Sequence, residues 1–329
     1  MLKVRYLELE TAPTMNSFNT RQHFLLVVIL LTGTSAFAQS AFMPKLKVTL
    51  LGTGNPRPVM ERLGPSILVE AGDQKLLFDC GRGCTQRLYQ LKAPFSDVTA
   101  LFLTHLHSDH IVGLPDLWLT GWIMGRSTPL RVWGPRGTKQ MMQRLAQAYE
   151  FDIHIRRDVD EQLPPQGVAE QATDIGQGVV YENAGVKVTA FAVDHGAVKP
   201  ALGYRVDYAG HSVVLSGDTR YSENLIKFAR GTDVLIHEVL AANAYHSLHT
   251  ALTPRQMQKV VEHHTKTEEA AVVFAKVKPR LAVYSHIVPP DAADLVSDTR
   301  KGYSGPVEVG EDLMSIEIGD RIQVHRPQP

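Results

Sequence analysis

The chain has 329 residues, with 34 Lys and Arg against 34 Asp and Glu, 14 His and only 2 Cys. At 44% hydrophobic and 21% charged it is neither a disordered chain nor a multi-pass membrane protein. Zero net charge argues against bulk electrostatic attachment to nucleic acid or anionic lipid, and two Cys exclude a disulfide scaffold or a four-thiolate zinc site, so the surplus to follow is histidine.

Phe24 to Leu31 (FLLVVILL) is an unbroken apolar run, preceded by Arg21 and His23 and followed by Ala36-Phe37-Ala38. A basic flank, a short apolar core and an A-x-A exit are the pattern of a secretory signal peptide. Residues 1–38 are therefore expected to be removed, and the protein to be periplasmic or secreted. The run is too short to cross a bilayer, which leaves no stable membrane span after cleavage. Glu8 and Glu10 make residues 1–14 a poor n-region, and Met15 is the more typical start.

Beyond that segment, apolar runs rich in Val, Ile, Leu and Thr alternate with helical patterns. Strands are expected at Leu46–Leu51, Ser66–Glu70, Lys75–Phe78, Ala100–Thr104, Leu130–Trp133 and Val186–Val193. They continue at Leu202–Asp207, Ser212–Leu215, Asp233–His237, Leu281–Ser285, Met314–Ile318 and Ile322–His325. Helices are expected at Thr85–Leu91, Leu114–Trp122, Thr138–Tyr149, Ser222–Ala229, Pro254–His263 and Glu268–Val277. Ala209-Gly210 reads as a hairpin turn, and the polar, Pro-paired stretch 158–180 as a surface loop. No repeat or change of composition divides residues 39–329, so one α/β domain with two sheet-containing halves is expected.

Thr104-His105-Leu106-His107-Ser108-Asp109-His110 carries the strongest chemical signal. Three imidazoles and a carboxylate follow directly on a buried strand, a dense set of nitrogen and oxygen donors for a metal such as zinc. Alternate residues of extended backbone face one way, so His105 and His107 can grip one ion while Asp109 and His110 reach a neighbour. His195, Asp218 and His286, each just after a strand run, would individually read as ordinary strand-end or turn residues.

Together with that first cluster, their order resembles the metallo-β-lactamase fold superfamily. The match extends from Leu51-Gly52-Thr53-Gly54 and Phe78-Asp79-Cys80-Gly81 through Asp194-His195-Gly196 and Ser216-Gly217-Asp218-Thr219 to Tyr284-Ser285-His286. The resemblance implies an αββα sandwich with two metal ions at one edge. It implies His105, His107, His195 and Asp218 on one ion and Asp109, His110, Asp218 and His286 on the other. Two zinc ions are expected, with Mn or Fe as substitutes, and a bridging hydroxide as nucleophile.

Asp79-Cys80-Gly81-x-Gly83, Gly217-Asp218-Thr219-Arg220, His237-Glu238 and His264-Thr265 resemble the ribonuclease Z and arylsulfatase-like branch. That likeness implies a proton-donating pair, His264 as general acid oriented by Glu238, with Asp109 as the third catalytic residue. His263 is the rival for the acid role within the His263-His264 pair but reads rather as a surface helix residue; His237, His246 and His249 are assigned to packing, an outer shell or the rim. Cys80 is expected buried, with a Cys80–Cys84 disulfide as a minor alternative. Arg57, Arg62, Arg82 and Arg220 are expected to pair with surface carboxylates, or to meet an anionic substrate. Only 23 positions separate His195 from Asp218, so the transfer RNA-binding arm of ribonuclease Z is missing. That gap, the apparent export and the neutral charge weigh against transfer RNA (tRNA) as a partner. The expected activity is hydrolysis of a small anionic phosphodiester or aryl sulfate ester, with a homodimer allowed for. The alternatives are a ribonuclease Z-type 3′ tRNA processing endonuclease, a lactonase or thioesterase, and a non-catalytic metal-containing binding protein.

Overall fold

The computed structural model describes residues 46–241 and 252–327. The signal-like segment 1–38, Met15, His246 and His249 lie outside the described residues. Two mixed sheets form from the Val, Ile and Leu runs. The first contains β1 (Leu46–Gly52), β2 (Ser66–Ala71), β3 (Gln74–Phe78), β4 (Ala100–Phe102), β5 (Leu130–Gly134) and β6 (Glu170–Asp174), with β14 (Ser315–Ile318) and β15 (Ile322–His325). Its order is β15-β14-β1-β2-β3-β4-β5-β6. The second contains β7 (Gly178–Asn183), β8 (Val186–His195), β9 (Val198–Tyr208), β10 (His211–Leu215), β11 (Val234–Leu240), β12 (Leu281–Val288) and β13 (Val307–Val309). Its order is β13-β12-β11-β10-β9-β8-β7.

Period-two alternation decides what each strand faces. Leu76 and Phe78 of β3 pack inward with Val213, Leu215, Val234 and Ile236 of the second sheet, making the layer between the sheets. Leu77 points the other way, onto α1 (Cys84–Gln90) and α3 (Leu114–Ile123) through Leu88, Leu117, Trp118 and Trp122, with Met142 of α4 (Thr138–Ala148) completing the layer. Between α1 and α3 lies the single turn α2 (Ser108–Ile111). On the far face, Val214 and Leu235 pack beneath Leu225 and Ile226 of α7 (Glu223–Ala229). The same layer takes in Val273 and Phe274 of α9 (Thr267–Val277). The strands are apolar on both faces because helices cover both. The αββα sandwich is thus present.

The turn at Ala209-Gly210 has φ of 49° and 84°, the two left-handed residues that a tight hairpin demands. Stretch 158–180, expected as a surface loop, instead holds α6 (Pro165–Val168), β6 and the start of β7. The reason is position. β6 is the last strand of its sheet, paired only with β5, and Glu170, Gln171, Thr173 and Asp174 are exposed, so no alternation of polarity announces it. The short β13, α5 (Glu150–His154) and α10 (Leu295–Thr299) were likewise not anticipated. Between α7 and α9 runs α8 (Pro254–His263), opened by a Thr253–Gln256 capping box.

Candidate metal centre

Parallel strands β3 and β4 end side by side, and the first half of the site grows from their carboxyl ends. Asp79, left-handed at φ 56°, turns its carboxylate back to accept from the Thr104 amide and hydroxyl, each at 2.8 Å. Its Oδ2 also accepts from His110 Nδ1 at 2.8 Å, which aims His110 Nε2 away from Asp79. His105 and His107 follow in extended chain, and α2 delivers Asp109 and His110. The approach of these backbones is close: a Cβ on Gly81 would lie 2.5 Å from the Asp109 carbonyl, and one on Gly113 2.3 Å from that of Gly81. Only glycine fits at either position.

The second half comes from β8, β10, β11 and β12. His195 is the last residue of β8 and donates from Nδ1 to the His263 carbonyl at 3.0 Å. Asp218 sits three residues beyond β10, fully out of solvent. Pairing of β11 with β12 slips between His237/Tyr284 and Val239/Ile287, so Glu238 faces both Ser285 and His286. That bulge gives His286 a φ of 45° and makes it a strand residue re-aimed sideways, rather than one lying beyond the strand as expected.

The two halves meet at close range. His286 Nε2 lies 3.2 Å from Asp218 Oδ2 and 3.3 Å from Asp109 Oδ2. His110 Nε2 lies 3.3 Å from Asp218 Oδ2 and 3.6 Å from Asp109 Oδ2. His195 Nε2 is 3.4 Å from His107 Nδ1, and both His105 and His195 place Nε2 3.9 Å from Asp218 Oδ2. An ion held at about 2.0–2.1 Å by nitrogen and oxygen in a tetrahedron spaces its donors by about 3.3 Å, near the lower end of the 3.2–3.9 Å seen here. His105 Nε2, His110 Nε2 and Asp218 Oδ1 are buried without a hydrogen-bond partner among the described residues. Orphaned buried polar atoms are costly unless something else engages them. The donor set fits divalent ions: His105, His107 and His195, and likewise Asp109, His110 and His286, each bring three ligand atoms within 4.8 Å of one another.

Protonation runs the same way for three of the imidazoles and both carboxylates, though not for His110. Burial pushes the His105, His107 and His195 imidazoles down toward the neutral form that binds metal. Burial opposes ionisation of Asp218 and Asp109 too, but the surrounding histidines outweigh it and hold both carboxylates below their usual range. Burial likewise works against charging His110, and Asp218 and Asp79 overcome it.

Beside the cluster, His264 Nδ1 lies 3.1 Å from Glu238 Oε1. The same oxygen accepts from the Thr219 amide at 3.1 Å and the Thr265 amide at 3.0 Å. α8 stops at His263 and His264 is extended, so the ring turns in against β11. Burial alone would lower this imidazole; the Glu238 charge and hydrogen bond reverse that and push it up to about 9. A cleft of about 660 Å³ between Met60, Arg82, Tyr89 and Met124 contains none of these residues.

All nine residues expected at the site therefore converge, but several neighbours differ from expectation. His263 is not simply on the surface: it is half-buried, its ring 4.7 Å from those of both His195 and His264. His237 packs against Phe274 and donates to its neighbour's carbonyl at 2.7 Å. Cys80 and Cys84 are buried free thiols, which removes the disulfide alternative. Arg220 pairs with Asp194 at 2.7 Å and Arg57 with Asp291 at 3.9 Å, whereas Arg62 turns inward to Thr53 and the Gly310 carbonyl. Asp312, buried and bonded to Thr53, Leu63 and Arg87, gave no signal in the sequence: an acid in a Gly-Glu-Asp stretch reads as a turn.

Residues 74–287 match the family model described as a beta-lactamase superfamily domain. The chain is 36% identical over 289 residues to a Ribonuclease Z of Mycolicibacterium gilvum, spanning 85% of this chain and 96% of that protein. Among solved structures it resembles the short form of human tRNase Z, 24% identical with a TM-score of 0.61, over 83% of this chain and 99% of that one. It also resembles a metallo-beta-lactamase fold protein of Bacillus subtilis, 19% identical with a TM-score of 0.64, over 83% and 99% of the two chains. These relatives correct the expectation that weighed against transfer RNA. The mycobacterial ribonuclease is spanned over 96% of its own length, so the short His195–Asp218 connection does not set this chain apart from proteins of that name. Net charge was a poor guide because it averages over a surface on which binding is local. The arylsulfatase part of the expectation finds no support in these relatives.

Proposed function

We propose, for a chain that belongs to the metallo-β-lactamase superfamily of hydrolases, that it is a ribonuclease Z-type phosphodiesterase cleaving the 3′ extension of precursor transfer RNA. The observation that carries this reading is the buried Glu238–His264 pair beside the His/Asp cluster. A ribose oxygen is a poor leaving group, and a phosphodiesterase gains from an acid placed to protonate it. With Nδ1 engaged by Glu238, His264 has Nε2 to donate.

Two zinc ions, with Mn or Fe as substitutes, held by His105, His107, His195 and Asp218 and by Asp109, His110, Asp218 and His286, would activate water and neutralise charge on the attacked phosphate. The remaining roles belong to the chain. Asp79 fixes the tautomer and direction of His110, and the His263 carbonyl does the same for His195. Glu238, anchored by two backbone amides, keeps His264 charged and oriented. Glycines 81 and 113 let the Asp109 segment settle against the β3 end.

The test is incubation of zinc-loaded protein with a precursor transfer RNA bearing a 3′ extension, followed by gel separation and end analysis. Release of the extension, lost on chelation and restored by zinc or manganese, is the expected result. A lactonase or thioesterase would leave the precursor intact, hydrolyse its own ester and keep nearly full activity in His264→Ala.

A further inference from the structure

Residues 53–65 leave β1 and return to β2 as a loop whose tip, Pro56-Arg57-Pro58 and Met60-Glu61, is exposed. Its base is fastened on two sides. On one, the Ile287 amide donates to the Thr53 carbonyl at 3.0 Å and Asn55 Nδ2 donates to the Ile287 carbonyl at 2.8 Å, one residue past His286. On the other stands Asp312, 6% exposed and far away in sequence. Its Oδ1 accepts from the Thr53 amide and hydroxyl, both at 2.9 Å, and its Oδ2 accepts from the Leu63 amide at 2.7 Å. One carboxylate thus ties the outgoing and returning limbs of the loop together. Arg87 of α1 completes the clamp, donating to Oδ2 at 2.9 and 3.2 Å and to the Met60 carbonyl at 3.2 Å. A buried carboxylate meeting five donors is a strong, geometrically specific joint.

What the joint presents is a wall. Arg57, Val59 and Glu61 face Pro290 and Asp291 across a cavity of about 230 Å³, a few residues beyond His286. We propose that Asp312 is a positioning residue for substrate: it fixes the 53–65 loop so that Arg57 and its neighbours form the outer wall beside His286. It governs how tightly substrate is held and leaves the chemical step to the cluster. Nothing in the donor set of the metal centre touches Asp312, and its charge is matched by Arg87.

The experiment compares wild type, Asp312→Asn and Arg87→Met, all zinc-loaded. Asp312→Asn keeps the side-chain volume but sets an amide nitrogen or a weakened acceptor against donors at Leu63 and Arg87. Its KM for precursor transfer RNA should rise roughly tenfold while kcat and zinc content stay within about twofold. Arg87→Met, which leaves both loop limbs bonded, should move KM less. Trypsin supplies a readout independent of activity: Arg57 is followed by Pro58 and resists, so the Arg62–Leu63 bond reports the loop. It should be cut roughly tenfold faster in Asp312→Asn. The KM arm rests on the phosphodiesterase reading above. Wild type inactive on every phosphodiester would end that reading, and the trypsin arm alone would then decide the clamp. Unchanged cleavage at Arg62 in both variants, or a fall in kcat with loss of zinc, would overturn the proposal.

Discussion

His264 Nδ1 stands 3.1 Å from Glu238 Oε1, and both side chains are withdrawn from solvent. For a reaction that expels a ribose alkoxide, His264→Ala should lower kcat by roughly 10²–10⁴. With bis(p-nitrophenyl) phosphate, whose leaving group needs no proton, the same variant should lose less than about tenfold. Equal losses on both substrates, at full zinc content, would show that His264 does not act as the acid.

The pair also sets a pH window. The folded value of His264, about 9, lies above the ordinary histidine value. Its contribution to stability is therefore complete below about pH 6.5 and disappears as pH rises through about 9. The acid form needed for catalysis follows the same limb, which bound cations should move downward. Glu238→Gln removes the charge that raises His264 and should move the alkaline limb of kcat to lower pH. A limb that stays in place in this variant would belong to some other group.

Metal removal should cost stability as well as activity. The cluster draws carboxylates and imidazoles from both sheets, so an ion bound there joins them. At a free metal concentration about a thousandfold above Kd, binding adds about 4 kcal/mol. Chelation should then lower the melting temperature by roughly 10 °C, reversibly on adding zinc. Scanning calorimetry with and without chelator checks this, and coincident transitions would rule it out.

Asp79 touches no expected substrate, yet three donors converge on it. Asp79→Asn keeps a residue that tolerates the left-handed backbone and should weaken metal binding by roughly 10–100-fold. Asp79→Ala adds backbone strain and unpaired buried groups, and should also be less stable by about 1–3 kcal/mol. Competitive zinc titration and urea melts separate the two effects.

If residues 1–38 are the signal peptide that their pattern indicates, a chain starting at Gln39 should melt and turn over as the full chain does. A matched pair of melting curves and rates decides it.

The strands that pack on both faces were legible because burial on two sides demands unbroken apolar runs, as in Leu76-Leu77-Phe78. The clustered His and Asp residues were legible because imidazoles and carboxylates are rarely buried at strand ends. β6 was not: an edge strand with Glu170, Gln171 and Asp174 exposed carries no alternation to read. His263 was taken for a surface residue because a helix pattern gives the face of a residue but not the ring of His195 that meets it from another strand. Asp312 escaped for the same reason, since its partners lie at Thr53, Leu63 and Arg87. Transfer RNA was wrongly discounted from an average charge, a short connection and an export-like segment, none of which describes a binding surface.

The floor of the site is backbone laid on backbone, with Gly81 between the Asp109 carbonyl and the Gly64–Pro65 peptide, and Gly113 against Gly81. Such a floor has no rotamers with which to absorb a displacement. Drift in this protein's descendants is therefore confined to what hangs from it: the 56–61 tip can be rewritten residue by residue, and new preferences for substrate can arise there, while the bed beneath the cluster is inherited whole or lost.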